Sequence, residues 1–67
     1  MKVKVGDYVK CRYEGDEEVF LGFVVEILNE SRYPIEVELN SSKSLRLFKL
    51  HEVELVGSIE IKDEEIL

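Results

Sequence analysis

The sequence has few of the residues on which most protein chemistry depends: it contains one cysteine, Cys11, and one histidine, His51. A single cysteine cannot form an internal disulfide, so the fold must be stable without one, which favours a reducing, cytoplasmic setting. One cysteine and one histidine also cannot complete a tetrahedral zinc site, and the consecutive carboxylates of 16–18 lack the alternating spacing of a calcium loop. We therefore predict no metal and no cofactor.

Catalytic groups are equally scarce. Cys11 and His51 are the only candidate pair of nucleophile and general base, and such a pair works only within hydrogen-bond reach. Cys11 alternates with Val9 and Tyr13, a spacing that predicts a buried and unreactive thiol. The four glycines are isolated in the sequence, which excludes a phosphate-cradling loop. The sequence therefore predicts a protein that is not an enzyme.

Long apolar runs are missing as well. The longest is far below the roughly 20 residues that a membrane span requires, and residues 1–7 lack the apolar core of a signal peptide. A chain of 67 residues makes one domain, whose small core leaves no room for a deep cleft. We expect a cytoplasmic protein with no membrane partner.

Basic residues are outnumbered, since 15 acids against 9 bases give a formal charge of -6. This balance is opposite to the one that attracts phosphate backbones, so general nucleic-acid binding is disfavoured. The charge is uneven. Four bases against one acid make residues 1–13 net +3, whereas six acids against one base make residues 52–67 net -5.

The sequence does contain a series of short strands. Residues 19–28 are rich in valine, phenylalanine and isoleucine, which predicts a central strand. Further strands are predicted over 8–13, 33–39, 44–50 and 53–56, with polar turns between them and Gly15 supplying a positive φ in the first long loop. Helical periodicity is missing. The pattern predicts an all-β fold, a small five-stranded antiparallel barrel over residues 1–57.

Residues 58–67 form an acidic C-terminal strand or tail. Ile59 and Ile61 alternate like a sixth strand, whereas 63–67 fits a fragment of helix or a frayed end equally well. The same isoleucines are candidates for covering the edge of the barrel, for homodimerisation and for binding a partner.

The inward face is clear in only one of the longer strands. Over 33–39 the alternation places Tyr33, Ile35, Val37 and Leu39 inward and Glu36 and Glu38 outward. In 19–28 both faces are apolar, and Gly22 is the predicted site of a bulge that exchanges them. A flat strand is the alternative, which leaves Phe20 and Val24 on the surface as a docking patch.

The strand 44–50 is ambiguous in the same way. Leu45 and Leu47 share one face, while the other carries Arg46, Phe48 and Leu50. A register that places Arg46 and Lys49 opposite or diagonal to Glu36 and Glu38 would give favourable cross-strand pairs, although exposed pairs of this kind contribute little to stability.

The order of these segments resembles small SH3-like barrels of the KOW and Tudor-like kind. The shared marks are the opening Gly6-Asp7, the glycine in the second strand, Gly22, and the closing Glu54-Leu55. Similar small chains occur among bacterial and bacteriophage proteins. The resemblance implies two binding activities, contact with RNA or ribosomal partners and capture of methylated side chains in an aromatic cage. For RNA the matching residues are Tyr8, Lys10 and Arg12; for a cage they are Tyr13, Phe20 and Tyr33.

The hypothesis that follows is a non-enzymatic protein-interaction module, a small regulator or phage-type modulator of a host protein. Its candidate protein-binding residues are Phe20, Val24, Ile59 and Ile61. The alternative is a KOW-like module associated with RNA or the ribosome, which would use Tyr8, Lys10 and Arg12.

Overall fold

The computed structural model describes residues 3–58 and forms one antiparallel sheet of five strands. The strands are β1 (Asp7–Cys11), β2 (Phe20–Ile27), β3 (Ile35–Leu39), β4 (Leu45–Phe48) and β5 (Val53–Ser58), with a 3-10 turn, η1 (Leu50–Glu52), before β5. Their order across the sheet is β4-β3-β2-β1-β5. The predicted all-β class with five antiparallel strands is confirmed. The predicted end of the last strand before Gly57 is wrong, since β5 continues through Ser58, and the predicted sixth strand at Ile59 and Ile61 lies outside the described residues.

One core is built from the inward side chains of all five strands. Its buried apolar members are Val3, Val9, Cys11, Val24, Ile35, Val37, Leu39, Phe48 and Val53. Tyr13, which follows β1, stacks on Phe48 at the end of β4 with ring centroids 4.4 Å apart. Because two strands separate β1 from β4 in the sheet order, this contact requires the sheet to curl around the core.

The bulge in β2 lies at Val25, so the prediction of a bulge at Gly22 is wrong. Gly22 pairs regularly with Val9 on one side and with Leu39 on the other, and the register shifts between Val24 and Glu26. The extra residue exchanges the faces of the strand, which is why Val24 and the partly buried Ile27 both contact the core. A face exchange was thus predicted correctly, but at the wrong residue.

Gly22 is needed for a different reason, the close approach of β3. A methyl group on its Cα would lie 2.8 Å from Val37 Cγ1 and nearer still to the carbonyl oxygen of Glu38. The prediction for Gly15 is confirmed, because its φ of 88° is the left-handed conformation that glycine adopts without strain.

In β3 the predicted alternation is confirmed at Ile35, Val37 and Leu39, which are all buried. It is wrong at Tyr33, which precedes the strand, is 38% exposed and has the ammonium of Lys49 5.5 Å from the centre of its ring. The described part of the chain contains no helix with the length and apolar character needed to cross a membrane.

Candidate functional site

The three candidate RNA-binding residues lie on the outward face of β1 and just beyond it, as their alternation predicts. The ring of Tyr8 is partly buried against Phe23, with centroids 4.9 Å apart, and its hydroxyl accepts a hydrogen bond from Asn40 Nδ2 at 2.9 Å. Tyr8 is therefore held within the sheet surface and is not a free platform on which a base could stack.

The two cations beside it are also engaged. Lys10 Nζ lies 3.7 Å from Glu54 Oε1, and Arg12 Nη1 donates a hydrogen bond of 2.8 Å to the backbone carbonyl of Asp16. A phosphate would have to compete with both contacts. The basic footprint that RNA binding requires is correspondingly small.

Cys11 and His51 do not meet the requirements of a catalytic pair. The Cys11 side chain is fully buried, and burial, helped by the negative charge of Glu52, raises the pKa of the thiol to about 11. A thiol with that pKa is almost entirely protonated at neutral pH and is a poor nucleophile. His51 is exposed on η1 and contacts Glu14, with Nε2 and Oε1 3.2 Å apart. The prediction that Cys11 is buried is confirmed.

Within residues 3–58, one group of three side chains has ligand atoms close enough to hold a metal ion: Glu14, His51 and Glu52. Glu52 already uses both carboxylate oxygens, because Oε1 accepts the Lys49 N–H and Oε2 accepts the Glu14 N–H, each at 2.8 Å. The bond from Glu14 fastens the loop after β1 to η1, and the bond from Lys49 closes the first turn of η1. We therefore assign Glu52 a structural role, as a clamp between two segments.

The clamp predicts a specific pH dependence of stability. Burial raises the pKa of Glu52, but the two backbone N–H groups and the nearby charges of His51 and Lys49 outweigh it, so the pKa of the folded state lies below its usual value. A carboxyl group of this kind stabilises the fold above its unfolded-state pKa, and the stabilisation is lost as the pH falls through the folded-state pKa.

We expect Glu52→Gln to lower the free energy of unfolding by about 1–3 kcal/mol at pH 7, the cost of weakening hydrogen bonds to a charged group. The difference from the wild type should shrink as the pH falls through the folded-state pKa of Glu52, because the wild-type carboxyl is then protonated as well. Urea unfolding of both proteins at a series of pH values from 7 downward measures it. Glu30→Gln, an exposed carboxylate in the turn after β2, is the matched control, and a difference from the wild type that does not decrease as the pH falls would exclude the clamp.

The candidate protein-binding residues fall in different environments. Phe20 is partly buried, lies edge-on to Tyr13 with centroids 6.2 Å apart, and has the Arg46 guanidinium 5.5 Å from the centre of its ring. Val24 is 1% exposed, so the alternative that places it on the surface is wrong: the bulge that follows it keeps this residue on the core side. Ile59 and Ile61 lie outside the described residues.

The three residues considered for an aromatic cage are not brought together. Tyr13 and Phe20 are neighbours, but the third ring beside them is the fully buried Phe48, while Tyr33 contacts Lys49. A protein cation, Arg46, already lies over Phe20. The described residues thus supply no open cage for a methylated side chain.

A surface that was not predicted as a site lies on the outward face of β2, β3 and β4. In the register of β3 and β4, Glu36 pairs with Leu47 and Glu38 pairs with Leu45. Arg46 does not pair with these glutamates, because it lies opposite the buried Val37 and therefore on the other face. We call this surface the outer patch and define it as Leu21, Phe23, Glu26, Glu36, Glu38, Leu45 and Leu47.

The outer patch combines exposed apolar groups with carboxylates that form no ion pair with any residue of 3–58. Leu21, Leu45 and Leu47 are 43%, 56% and 40% exposed. Among the described residues no cation lies within ion-pair distance of Glu26, Glu36 or Glu38. Glu26 and Glu36 are moreover direct cross-strand partners, an arrangement that like charges disfavour.

The sequence alone predicts only part of this surface. The alternation of β3 already predicts that Glu36 and Glu38 face outward, but the face of β4 and the register between the strands are needed to place Leu45 and Leu47 beside them.

No protein-family model matches the chain, and neither the comparison with curated proteins nor the comparison with solved structures finds a similar protein.

Proposed function

We propose that this chain is a cytoplasmic, non-enzymatic protein-interaction module with an SH3-like barrel fold, which acts as a small regulator or phage-type modulator of a host protein. The sequence resemblance, the five antiparallel strands and the curling of the sheet around one core support the barrel fold. The Cys11 thiol is buried and its pKa is raised to about 11, and His51 is exposed and contacts Glu14, an arrangement that does not favour nucleophilic catalysis.

The observation that carries the proposal is the clustering of exposed leucines on the outer patch. Isolated apolar side chains on a protein surface are normal and need no function. Leu45 and Leu47, however, lie on one face of a single strand, and Leu21 and Phe23 lie on the same face of the sheet, with one strand between the two pairs. Several exposed apolar side chains grouped on one face of a sheet, with polar groups between and beside them, favour a site that binds another protein.

The test compares three forms of the full chain as baits in a bacterial lysate. Leu45→Ser with Leu47→Ser removes two leucines from the outer patch. The matched control, Leu55→Ser with Val56→Ser, removes two exposed apolar side chains from β5. We expect the wild type and the matched control to capture a partner protein that the β4 double variant does not capture. All three forms should give the same circular dichroism spectrum.

The RNA alternative gives a different outcome. Lys10→Glu with Arg12→Glu would abolish the binding of an RNA module and reduce its salt dependence. A partner of the outer patch should tolerate this change. Retention of salt-sensitive RNA by the wild type, lost on charge reversal and unaffected by the β4 double variant, would replace the proposed function with the alternative.

A further inference from the structure

The outer patch has a pattern that indicates the chemistry of its partner. Glu36 and Glu38 form an acidic row along β3, and both point outward. Leu45 and Leu47 form an apolar row with the same spacing on β4, and Leu21 and Phe23 form another on β2. Side chains two residues apart on a strand repeat about every 7 Å. The patch therefore presents one acidic row between two apolar rows, each with the period of an extended chain.

The charge of this face selects among the possible occupants. A second copy of the chain would bring the same unpaired carboxylates together in a protein whose net charge is already -6. The chain's own residues 59–67 carry four acids against one base, which is also the wrong sign. Both are disfavoured by like-charge repulsion, which costs specificity and affinity at an interface.

We infer that the outer patch binds a basic, extended segment of a partner protein in which lysine or arginine and aliphatic residues take turns at every second position, so that both kinds of side chain project from the same face of the segment. This inference rests on the proposed function and specifies its ligand. The cations of such a segment would neutralise Glu26, Glu36 and Glu38, and its aliphatic side chains would cover Leu45 and Leu47.

The probe is a ten-residue peptide with blocked ends, in which lysine and valine take turns at every second position and threonine fills the positions between them. It is titrated into the isotopically labelled full-length protein and followed by NMR. We expect the largest shifts at the amides of β4 and at the outward residues of β2 and β3. A peptide with serine in place of lysine should bind about tenfold more weakly or worse, since three partly exposed ion pairs together contribute on this scale. Raising the salt concentration from 20 mM to 500 mM should reduce the difference, because it shortens the Debye length to a few ångströms.

Two charge variants test whether the peptide recognises the carboxylates of the outer patch or only the net negative charge of the protein. Glu26→Gln with Glu36→Gln and Glu38→Gln removes three charges from the outer patch. Asp16→Asn with Glu17→Gln and Glu18→Gln removes three from the exposed loop between β1 and β2. We expect about a tenfold loss of lysine–valine peptide affinity in the first variant and less than a twofold change in the second.

Equal losses in the two variants would show attraction by net charge alone and overturn the inference. The inference would also be overturned if the wild type is a dimer and Leu45→Ser with Leu47→Ser converts it to a monomer, because the patch would then bind a second copy of the chain. An increase in peptide affinity on Ile59→Ser with Ile61→Ser would show that the chain's own tail competes for the patch, and would overturn it as well. If the lysate partner still depends on Leu45 and Leu47 in any of these cases, the proposed function stands and only the chemistry of its ligand is wrong.

Discussion

Gly22→Ala is expected to lower the free energy of unfolding by about 3 kcal/mol or more, enough to unfold much of a domain of this size at 37 °C. Its methyl group would overlap the carbonyl oxygen of Glu38 and lie 2.8 Å from Val37 Cγ1. The first of these atoms belongs to the backbone of β3 and cannot move without opening the pairing of β2 with β3. Thermal and urea unfolding, followed by circular dichroism, measures the loss.

Gly57→Ala is the matched control for this substitution. Gly57 lies in β5, no atom outside its immediate chain neighbours is within 4 Å of the position that a Cβ would occupy, and its φ is not in the left-handed region. We expect a change of less than about 1 kcal/mol, with a slight stabilisation from the reduced entropy of the unfolded chain. Equal effects of the two substitutions would contradict the close approach of β2 and β3 at Gly22.

Phe48→Ala should cost about 3–5 kcal/mol, the usual penalty for emptying a fully buried aromatic site. Phe48 is 0% exposed and stacks on Tyr13 across the curled sheet. Its loss therefore removes apolar burial and one of the contacts that hold the end of β4 close to the chain that follows β1. The expected fall in melting temperature is at least 12 °C, taking about 4 °C per kcal/mol for a small domain.

Leu45→Ala, at the other end of the same strand, provides the comparison. Leu45 is 56% exposed, and substitutions at such surface positions usually change stability by less than about 0.5 kcal/mol. A large loss at Leu45 with little loss at Phe48 would mean that β4 presents the opposite face to the core, and the outer patch would not exist. The pair of variants therefore also tests the surface on which the proposed function depends.

The third strand shows how much of the fold is legible from local pattern. Over Ile35–Leu39, apolar residues alternate with glutamates, and the structure buries the apolar set as the alternation predicts. Cys11 was predicted to be buried by the same reasoning, from its alternation with Val9. Wherever one face is polar, burying that face would leave its charges without water or partners, so only one orientation has low free energy.

The candidate site could not be predicted from the alternation of apolar and polar residues alone. In β2 both faces are apolar, and the position of the bulge, after Val24 and not at Gly22, decided which residues are buried. In β4 one face carries two leucines and the other carries one phenylalanine, so the pattern does not show which face is buried. The register places Arg46 opposite Val37 and not opposite a glutamate, which the sequence alone left open.

The sequence by itself determined the class of fold, the five strands, the inward face of β3 and the scarcity of catalytic groups, because these depend on composition and on two-residue periodicity. The tertiary structure decided that Phe48 fills the core and that Leu45 and Leu47 face outward beside Glu38 and Glu36. Where both faces of a strand are apolar, local pattern leaves two orientations of similar free energy. The choice between them is made by packing against distant residues, here Tyr13 on Phe48 and the backbone of β3 against Gly22.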